Sequence, residues 1–321
     1  MDRVALTDAS DIMNVMGLYD VRRFGSLNSS DNTGIFQDAM DTAYFDKMAG
    51  IFIPQRSAVM PFSQLRVLPG MSIISAGIIT TRLAQLPGVN ASAIVNDPVL
   101  MPNNYYMHGQ VFEGFKIGKL GTEDTIGCGI EFQCRTGEGF RIAKINALSF
   151  PEAGIRLARG GAPCYLEDLH FFRNGTYGLD IQRTGSDVWN MFQCVVLSGD
   201  NNGNALVRIK NCGVEYEAFS FIGVKAEVGT AGKQLNVFEL DNLRGVQVYI
   251  HNISGLVAAD GAPNAFVRIM TSGARVSLIG ARGVYPLAIN DTVRPQQVFH
   301  STNRMELVYS TGNGILRETI G

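Results

Sequence analysis

Short strands of the form apolar-x-apolar recur along the chain at a nearly constant spacing. Their first residues step by 25, 24, 28, 31, 29 and 31 positions. The seven strands begin at Ile130, Ile155, Leu179, Val207, Phe238, Val267 and Val298. A strand repeated at a fixed period is typical of a solenoid, in which each unit buries its apolar face by stacking on its neighbours. The pattern therefore predicts an all-β chain folded as a parallel β-helix.

The middle residue of these strands faces the side opposite to its two neighbours, because side chains alternate along a strand. In the first six strands this residue carries alternating charge: Glu131, Arg156, Asp180, Arg208, Glu239 and Arg268. Stacked strands lie about 4.8 Å apart, so the sequence predicts a column of alternating charges on the outer wall. A slip by one coil would bring like charges together, and we interpret the column as fixing the register.

A second pattern, apolar-x-x-apolar-x-apolar, precedes each of the first six strands, beginning at Phe112, Ile142, Leu166, Trp189, Tyr216 and Ile250. The central pair predicts a bend between two strand pieces. The residue after the first apolar position then forms one column: Glu113, Ala143, Glu167, Asn190, Glu217 and His251.

This column contains the candidate chemistry. Glu167 and Glu217 are expected two coils apart, roughly 9–10 Å, at the upper edge of the ~6.5–9.5 Å typical of inverting glycoside hydrolases. The functional interpretation makes Glu167, Asp168 and Glu217 catalytic. It assigns substrate binding to His170, Trp189, Asn190 and His251. The alternative is a solvated wall or subunit contact, with Trp189 packed in the core or an interface.

Composition limits the classes of function. The net charge of -2 and pI of about 6.1 give no basic footprint for nucleic acid. Neither a signal peptide nor a membrane-spanning run of ~18 apolar residues is found in the sequence. Five cysteines without a Cys-x-x-Cys pair are expected to be reduced and buried, in a chain made in a cytoplasm. Four scattered histidines show no metal-ligand spacing, and no cofactor is expected.

Residues 21–77 differ from the repeats. Apolar residues recur at helical spacing from Ile35 to Lys47, and Asp31, Asn32 or Thr33 is placed to cap the helix. A strand ending at Pro54 follows. With Val21, Phe24, Gly25, Asp31 and Thr33, this opening resembles that of the pectate-lyase-like β-helix family of phage tailspikes. It departs from the family where Ser26 to Ser29 replace a Gly-rich stretch.

The resemblance implies a right-handed parallel β-helix with a short N-terminal capping helix, assembled as a homotrimer in the tail of a virion. It divides the chain into residues 1–20, an arm that docks on other virion tail proteins, residues 21–77, the family opening, and residues 78–321, the coils with a short C-terminal end. Phe299 and Tyr285, expected to face outward, favour the trimer.

The resemblance leaves the activity open, because this fold hosts lyases, hydrolases and inert adhesins. We expect a tailspike or tail-fibre-like protein that contacts host-surface polysaccharide by adhesion. A polysaccharide depolymerase, either a glycoside hydrolase or a lyase, is the first alternative, and a purely structural virion protein is the second. Carboxylates that alternate with arginine are held ionised, which favours adhesion or architecture over turnover.

Overall fold

The computed structural model describes residues 16–185, 187–213, 217–228 and 236–252, and the strand segments 254–257, 265–269, 275–279, 287–289, 297–301, 305–311 and 314–320. These residues form a parallel β-helix of about eight turns. Among the described strands, the last two pair antiparallel and the others pair parallel.

The described strands form three sheets. The first contains β1 (Leu18–Asp20), β2 (Gly50–Ile53), β3 (Met60–Phe62), β5 (Ser72–Ser75), β6 (Arg82–Gln85), β9 (Val111–Glu113), β10 (Lys116–Lys119), β12 (Arg141–Leu148), β14 (Cys164–Phe172), β16 (Phe192–Asp200), β18 (Ala218–Val228), β20 (Gln247–His251), β21 (Ser254–Val257), β23 (Arg275–Ile279) and β25 (Gln297–Ser301). The second contains β4 (Leu65–Val67), β7 (Ile94–Asn96), β8 (Tyr106–Met107), β11 (Ile130–Thr136), β13 (Ala153–Arg159), β15 (Tyr177–Gln182), β17 (Ala205–Lys210), β19 (Asn236–Asp241) and β22 (Ala265–Ile269). The third contains β24 (Leu287–Ile289), β26 (Met305–Thr311) and β27 (Gly314–Ile320).

The predicted interior column is confirmed in the second sheet. Strand pairing places six buried residues in register: Ile130, Ile155, Leu179, Val207, Phe238 and Val267. Their middle neighbours, from Glu131 to Arg268, are likewise in register. Asp180 and Glu239 in that column are buried, however, and do not form an open solvated wall.

The seventh repeat was assigned to the wrong sheet. Val298 pairs with Val276 in the first sheet and does not continue the column that ends at Val267. An apolar-x-apolar triplet occurs in strands of both sheets, so it does not show to which sheet a strand belongs. The alternating charges that mark strands of the second sheet end at Arg268. Phe299 is described by its backbone alone, and Tyr285 lies outside the described residues.

Helix α1 spans Thr33–Phe45, two residues earlier than predicted, and packs on β1, β2 and β4. Its buried face consists of Phe36, Ala39, Met40 and Ala43. The Asp31 carboxylate accepts a hydrogen bond from the backbone N–H of Thr33 at 2.9 Å. Of the proposed N-terminal arm, residues 1–15 lie outside the described residues, and Leu18–Asp20 already pairs with β2 as the first strand.

The predicted bend is present in the first sheet. A residue with positive φ stands at this corner in successive coils: Gly114, Lys144, Asp168, Val196, Gly223 and Asn252. These residues interrupt the ladder between the two strand pieces, so the side chains before and after the bend lie on two different outer faces.

Candidate functional site

Glu167 lies on the outer wall before the bend, as predicted, but as part of an ion-pair network. Arg141 donates to Glu167 at 2.8 Å and to Glu113 at 2.6 Å, and Lys144 donates to Glu113 at 2.8 Å. Burial alone raises the pKa of Glu113, but the hydrogen bonds and charges of Lys144 and Arg141 outweigh it and lower that pKa. The network extends over neighbouring coils and holds these carboxylates beside cations.

Asp168 and His170 are also brought together. Asp168 is the corner residue of its coil, with φ of 53°, and its Oδ1 lies 2.9 Å from Nε2 of His170. The other ring nitrogen, Nδ1, is hydrogen-bonded to the hydroxyl of Ser198 in the next coil. Ser198 was not among the predicted residues.

The predicted column is wrong at Asn190 and Glu217. In the structure, Glu167 is followed in register by Val195, Ile222 and His251. His251 therefore shares the column, three coils away, about 14 Å at the usual strand spacing. The error arose because Trp189 and Phe192 are spaced like Leu166 and Leu169, whereas the true register partner of Leu166 is Cys194.

Glu217 is fully buried. Its carboxylate accepts hydrogen bonds from the backbone N–H groups of Trp189, at 2.9 Å, and of Gly213, at 2.7 Å. The side chain thus ties together two backbone segments. The structure does not place it across a groove from Glu167, as the predicted pair of carboxylates required.

Trp189 is likewise fully buried. Its indole N–H donates to the carbonyl of Gln182 at 3.1 Å, and its ring packs edge-on against Phe192, with centroids 5.8 Å apart. The substrate-binding role proposed for Trp189 requires an exposed ring face, so the structure supports the alternative of core packing.

A cleft of about 490 Å³ lies elsewhere on the surface. It is lined by side chains and turns from β8, β11, the segment after β13 and the segment before β16: Tyr106, His108, Arg135, Glu138, Gly160, Gly161, Ala162, Asp187, Val188 and Asn190. Of the predicted site residues, Asn190 is in this cleft, and it is exposed. The backbone N–H of Asn190 donates to the carbonyl of Gly161 at 3.3 Å, which joins two of the cleft's segments.

Tyr106 provides the aromatic surface of the cleft. Its ring stacks on His108, with centroids 5.6 Å apart and an interplanar angle of 23°. The guanidinium carbon of Arg135 lies 5.1 Å from the Tyr106 centroid, and Nη1 of Arg135 donates to the Tyr106 hydroxyl at 2.9 Å. Tyr106 keeps 38% of its surface exposed, so part of this ordered side chain remains available for contact.

Asp187 anchors the charged side of the cleft. Its carboxylate pairs with Arg135 and accepts a hydrogen bond from Arg159 at 2.7 Å. Burial alone raises the pKa of Asp187, but the hydrogen bonds from the two arginines outweigh it, and the pKa falls below its ordinary value. The carboxylate therefore stays ionised and fixes the position of Arg135 beside Tyr106.

Most of this cleft could not be predicted from the sequence. Tyr106 and Asp187 belong to no repeat, and 81 positions separate them in the chain. The local signal in the sequence was Gly160-Gly161 directly after a strand. The backbone needs glycine there, because a side chain at Gly161 would overlap the carbonyl oxygen of Thr136.

Within the part of the chain that the structure describes, no group of three or more His, Cys, Asp and Glu side chains is arranged to hold a metal ion. No described helix is long and apolar enough to cross a membrane.

No protein-family profile matches this sequence, and no curated protein is significantly similar to it. Several solved structures superpose on most of the chain. The Geobacillus virus E2 protein ORF18 is 13% identical with a TM-score of 0.59, and the match covers 96% of this chain and 64% of that one. The enzymatically active domain of tailspike protein 2 from bacteriophage CBA120 is 14% identical with a TM-score of 0.51, covering 90% of this chain and 47% of that one.

The chain thus spans less than two thirds of the length of either structure. At 13% and 14% identity, these similarities concern the fold. They agree with the parallel pairing of the two large sheets and with the buried columns that stack from coil to coil. The chain has the parallel β-helix architecture that is also found in a phage tailspike.

Proposed function

We propose that this chain is a virion tail protein that attaches to host-surface polysaccharide, and that the cleft around Tyr106 is its saccharide-binding site. The architecture shared with a phage tailspike supports the tail assignment. The observation that carries the binding site is the exposed Tyr106 ring, which stacks with His108 and is hydrogen-bonded by Arg135. A sugar presents an apolar C–H face and a rim of hydroxyl groups. A protein site that binds it therefore needs both an aromatic surface and polar groups in fixed positions.

The polar groups of the cleft fit that rim. Arg135 offers N–H donors, Asn190 offers an amide that both donates and accepts, and Glu138 offers carboxylate oxygens. Because Arg135 and Asp187 are already paired, their charges largely cancel. The cleft therefore suits a polyhydroxyl ligand better than a highly charged one.

Binding of purified host-surface polysaccharide, measured by calorimetry, tests this assignment. Tyr106→Ala is expected to weaken binding about tenfold or more, equivalent to ~1.4 kcal/mol. Tyr19→Ala is the matched control, because Arg23 lies 5.0 Å from the centroid of the Tyr19 ring, far from the cleft in sequence. Equal binding by the Tyr106 variant and the wild type would overturn the assignment, and release of reducing ends during incubation would favour the depolymerase.

We propose further that the chain assembles as a homotrimer through the outer face that precedes the bend in the first sheet, which leaves the face after the bend open to solvent. Three apolar residues of its strands are strongly exposed, Tyr165 and Tyr249 before the bend and Val196 at the corner, and Met191, directly before β16, is exposed as well. Val196 also has φ of 59°, a conformation that is unfavourable for a β-branched residue. Lysine, aspartate and glycine occupy the same corner in neighbouring coils, so an apolar residue at this corner is best explained by a contact.

Light scattering tests the trimer. The wild-type chain is expected at about three times its mass of 34.9 kDa, and Val196→Asp is expected to shift it towards the monomer without loss of folded structure. Val99→Asp is the control, because Val99 is also exposed, at 83%, and follows β7 in the second sheet. A wild-type monomer at micromolar concentration would remove the proposal.

A further inference from the structure

A serine, a histidine and an aspartate are linked on the outer wall after the bend. His170 and Ser198 are register partners in β14 and β16, and Asp168 stands two positions before His170. The imidazole lies between the other two groups, with Nε2 2.9 Å from Oδ1 of Asp168 and Nδ1 hydrogen-bonded to Oγ of Ser198. The connection adds side-chain hydrogen bonds to the backbone pairing that β14 and β16 already make on both sides of the corner.

The hydrogen bonds fix the tautomer of the neutral ring. A carboxylate accepts hydrogen bonds, so the nitrogen that faces Asp168 carries the proton. The remaining nitrogen, Nδ1, then has a free lone pair and accepts the hydroxyl proton of Ser198. This is the arrangement of a nucleophile, a general base and a group that orients the base. In the usual triad, Nε2 of the histidine faces the serine and Nδ1 faces the carboxylate. Here the two nitrogens have exchanged places, but the roles of the three residues depend on geometry and are the same.

The site is open to solvent, and a lysine follows it in register. The side chains of Asp168 and His170 keep 39% and 31% of their surface exposed. Lys225 is the register partner of Ser198 in β18, on the side away from His170. Base, nucleophile and cation thus follow one another in three successive coils.

We propose that Ser198 is the nucleophile of an ester hydrolase that removes small O-acyl groups, such as acetyl esters, carried on a large polymer. An outer wall admits an ester displayed on a polymer chain, and a hydroxyl activated by imidazole is suited to acyl transfer. The activity goes beyond attachment through the cleft and does not depend on it.

The reaction proceeds in two balanced steps. Oγ of Ser198 bonds to the ester carbonyl carbon while its proton passes to Nδ1 of His170. The carbon–oxygen bond to the alcohol then breaks, and the alcohol leaves with that proton. Water, activated in turn by His170, attacks the acyl-serine and releases the carboxylic acid, which regenerates the Ser198 hydroxyl. Asp168 acts as a positioning residue that holds the Nε2 proton and stabilises the cationic ring.

A fluorophosphonate probe tests the nucleophile directly, with p-nitrophenyl acetate as the turnover substrate. The folded full-length chain is expected to be labelled at Ser198, as mapped by peptide mass spectrometry. Ser198→Ala should abolish labelling, and His170→Gln should slow it at least about 100-fold. Ser220→Ala is the matched control and should behave as wild type, because Ser220 is a half-buried serine on the outer face of β18.

The role of Asp168 is tested by a pair of variants. Asp168→Asn should lower kcat for the acetate ester with little change in KM, and Asp168→Glu should restore part of the rate. A merely structural role would instead be seen as a lower melting temperature in both variants. Absence of Ser198 labelling in the folded protein, or labelling that is unchanged in His170→Gln, would overturn the proposal. Neither result depends on whether the cleft binds polysaccharide.

Discussion

The guanidinium of Arg156 donates from Nε to Oδ2 of Asp180, one coil away, at 2.8 Å. Arg208, one coil further on, donates to both oxygens of the same carboxylate, each at 2.8 Å. Asp180 is fully buried, whereas the two arginine side chains keep 15% and 13% of their surface exposed. One carboxylate therefore joins three coils, so a shift in register would place it away from one or both of its partners.

Asp180→Ala is expected to destabilise the protein strongly. It leaves two guanidinium groups close together without the carboxylate they share, with Arg156 keeping its contacts to Glu131 and Glu152, and removing one partner from a buried pair costs about 3–5 kcal/mol. The control is Lys210→Ala, which breaks a 3.2 Å pair with Asp241 at a similar position in the ladder, where the Lys210 side chain is 36% exposed. That change should cost under about 1 kcal/mol. Urea unfolding followed by circular dichroism measures both, and equal costs would contradict the argument.

Two glycines should respond to alanine in opposite directions. A methyl group at Gly203 would overlap the carbonyl oxygen of Gly175, whereas one at Gly34, in α1, meets no atom within 4 Å. Gly203→Ala is therefore expected to lower the free energy of unfolding by about 1–3 kcal/mol, and Gly34→Ala to raise it by up to about 1 kcal/mol. Melting temperatures give the sign of each effect. A neutral Gly203 variant would show that the corner can widen.

The fold was predictable because each coil has apolar and charged residues at the same positions. Ile130 and its five register partners are apolar at every repeat, and the charges beside them alternate without exception. The apolar-x-x-apolar-x-apolar pattern predicted the register of the first sheet less reliably, because apolar residues also occupy the turns. Trp189 is buried in the segment before β16, where it imitates the first anchor of a coil. Val195 and Val196, which truly follow the anchor Cys194, are apolar residues on the outer wall.

The candidate sites were predictable only in part. Asp168 and His170 lie side by side on one strand, so their proximity could be predicted from the sequence. Their contact with Ser198 depends on the lengths of the two connections that lead from β14 through β15 to β16, and such lengths vary from coil to coil. The cleft depends on Tyr106 and Asp187, which are brought together by the stacking of irregular turns. A repeat pattern contains no information about such turns.

The five cysteines are expected to be unreactive in the folded protein. All of them are buried, and burial raises the pKa of both Cys128 and Cys134 to about 12. Since the thiolate is the reactive form, iodoacetamide at pH 8 should modify none of them over an hour, and all five after unfolding in urea. Intact-mass spectrometry counts the modified thiols. Rapid modification of the native protein would indicate that the coils open locally.

The stability that Asp187 contributes to the folded protein is expected to be lost at low pH. The pKa of Asp187 lies below its ordinary value of 3.8, because its hydrogen bonds from Arg135 and Arg159 outweigh the opposite effect of burial. A depressed pKa in the folded state means that the unfolded chain takes up this proton first as the pH falls. The stabilisation from Asp187 is therefore complete above about pH 4 and is lost as the pH drops through the folded pKa.

Asp187→Asn should accordingly be less stable than wild type at pH 7, and the difference between the two should shrink between about pH 4 and pH 2. Thermal unfolding at a series of pH values measures this difference. Asp38→Asn is the control, because Asp38 is an exposed residue of α1 and its substitution should cost little across this series. A stability difference for Asp187→Asn that stays constant down to pH 2 would show that the arginines do not hold this carboxylate ionised. Tyr106 would then lack the fixed partner on which the saccharide site depends.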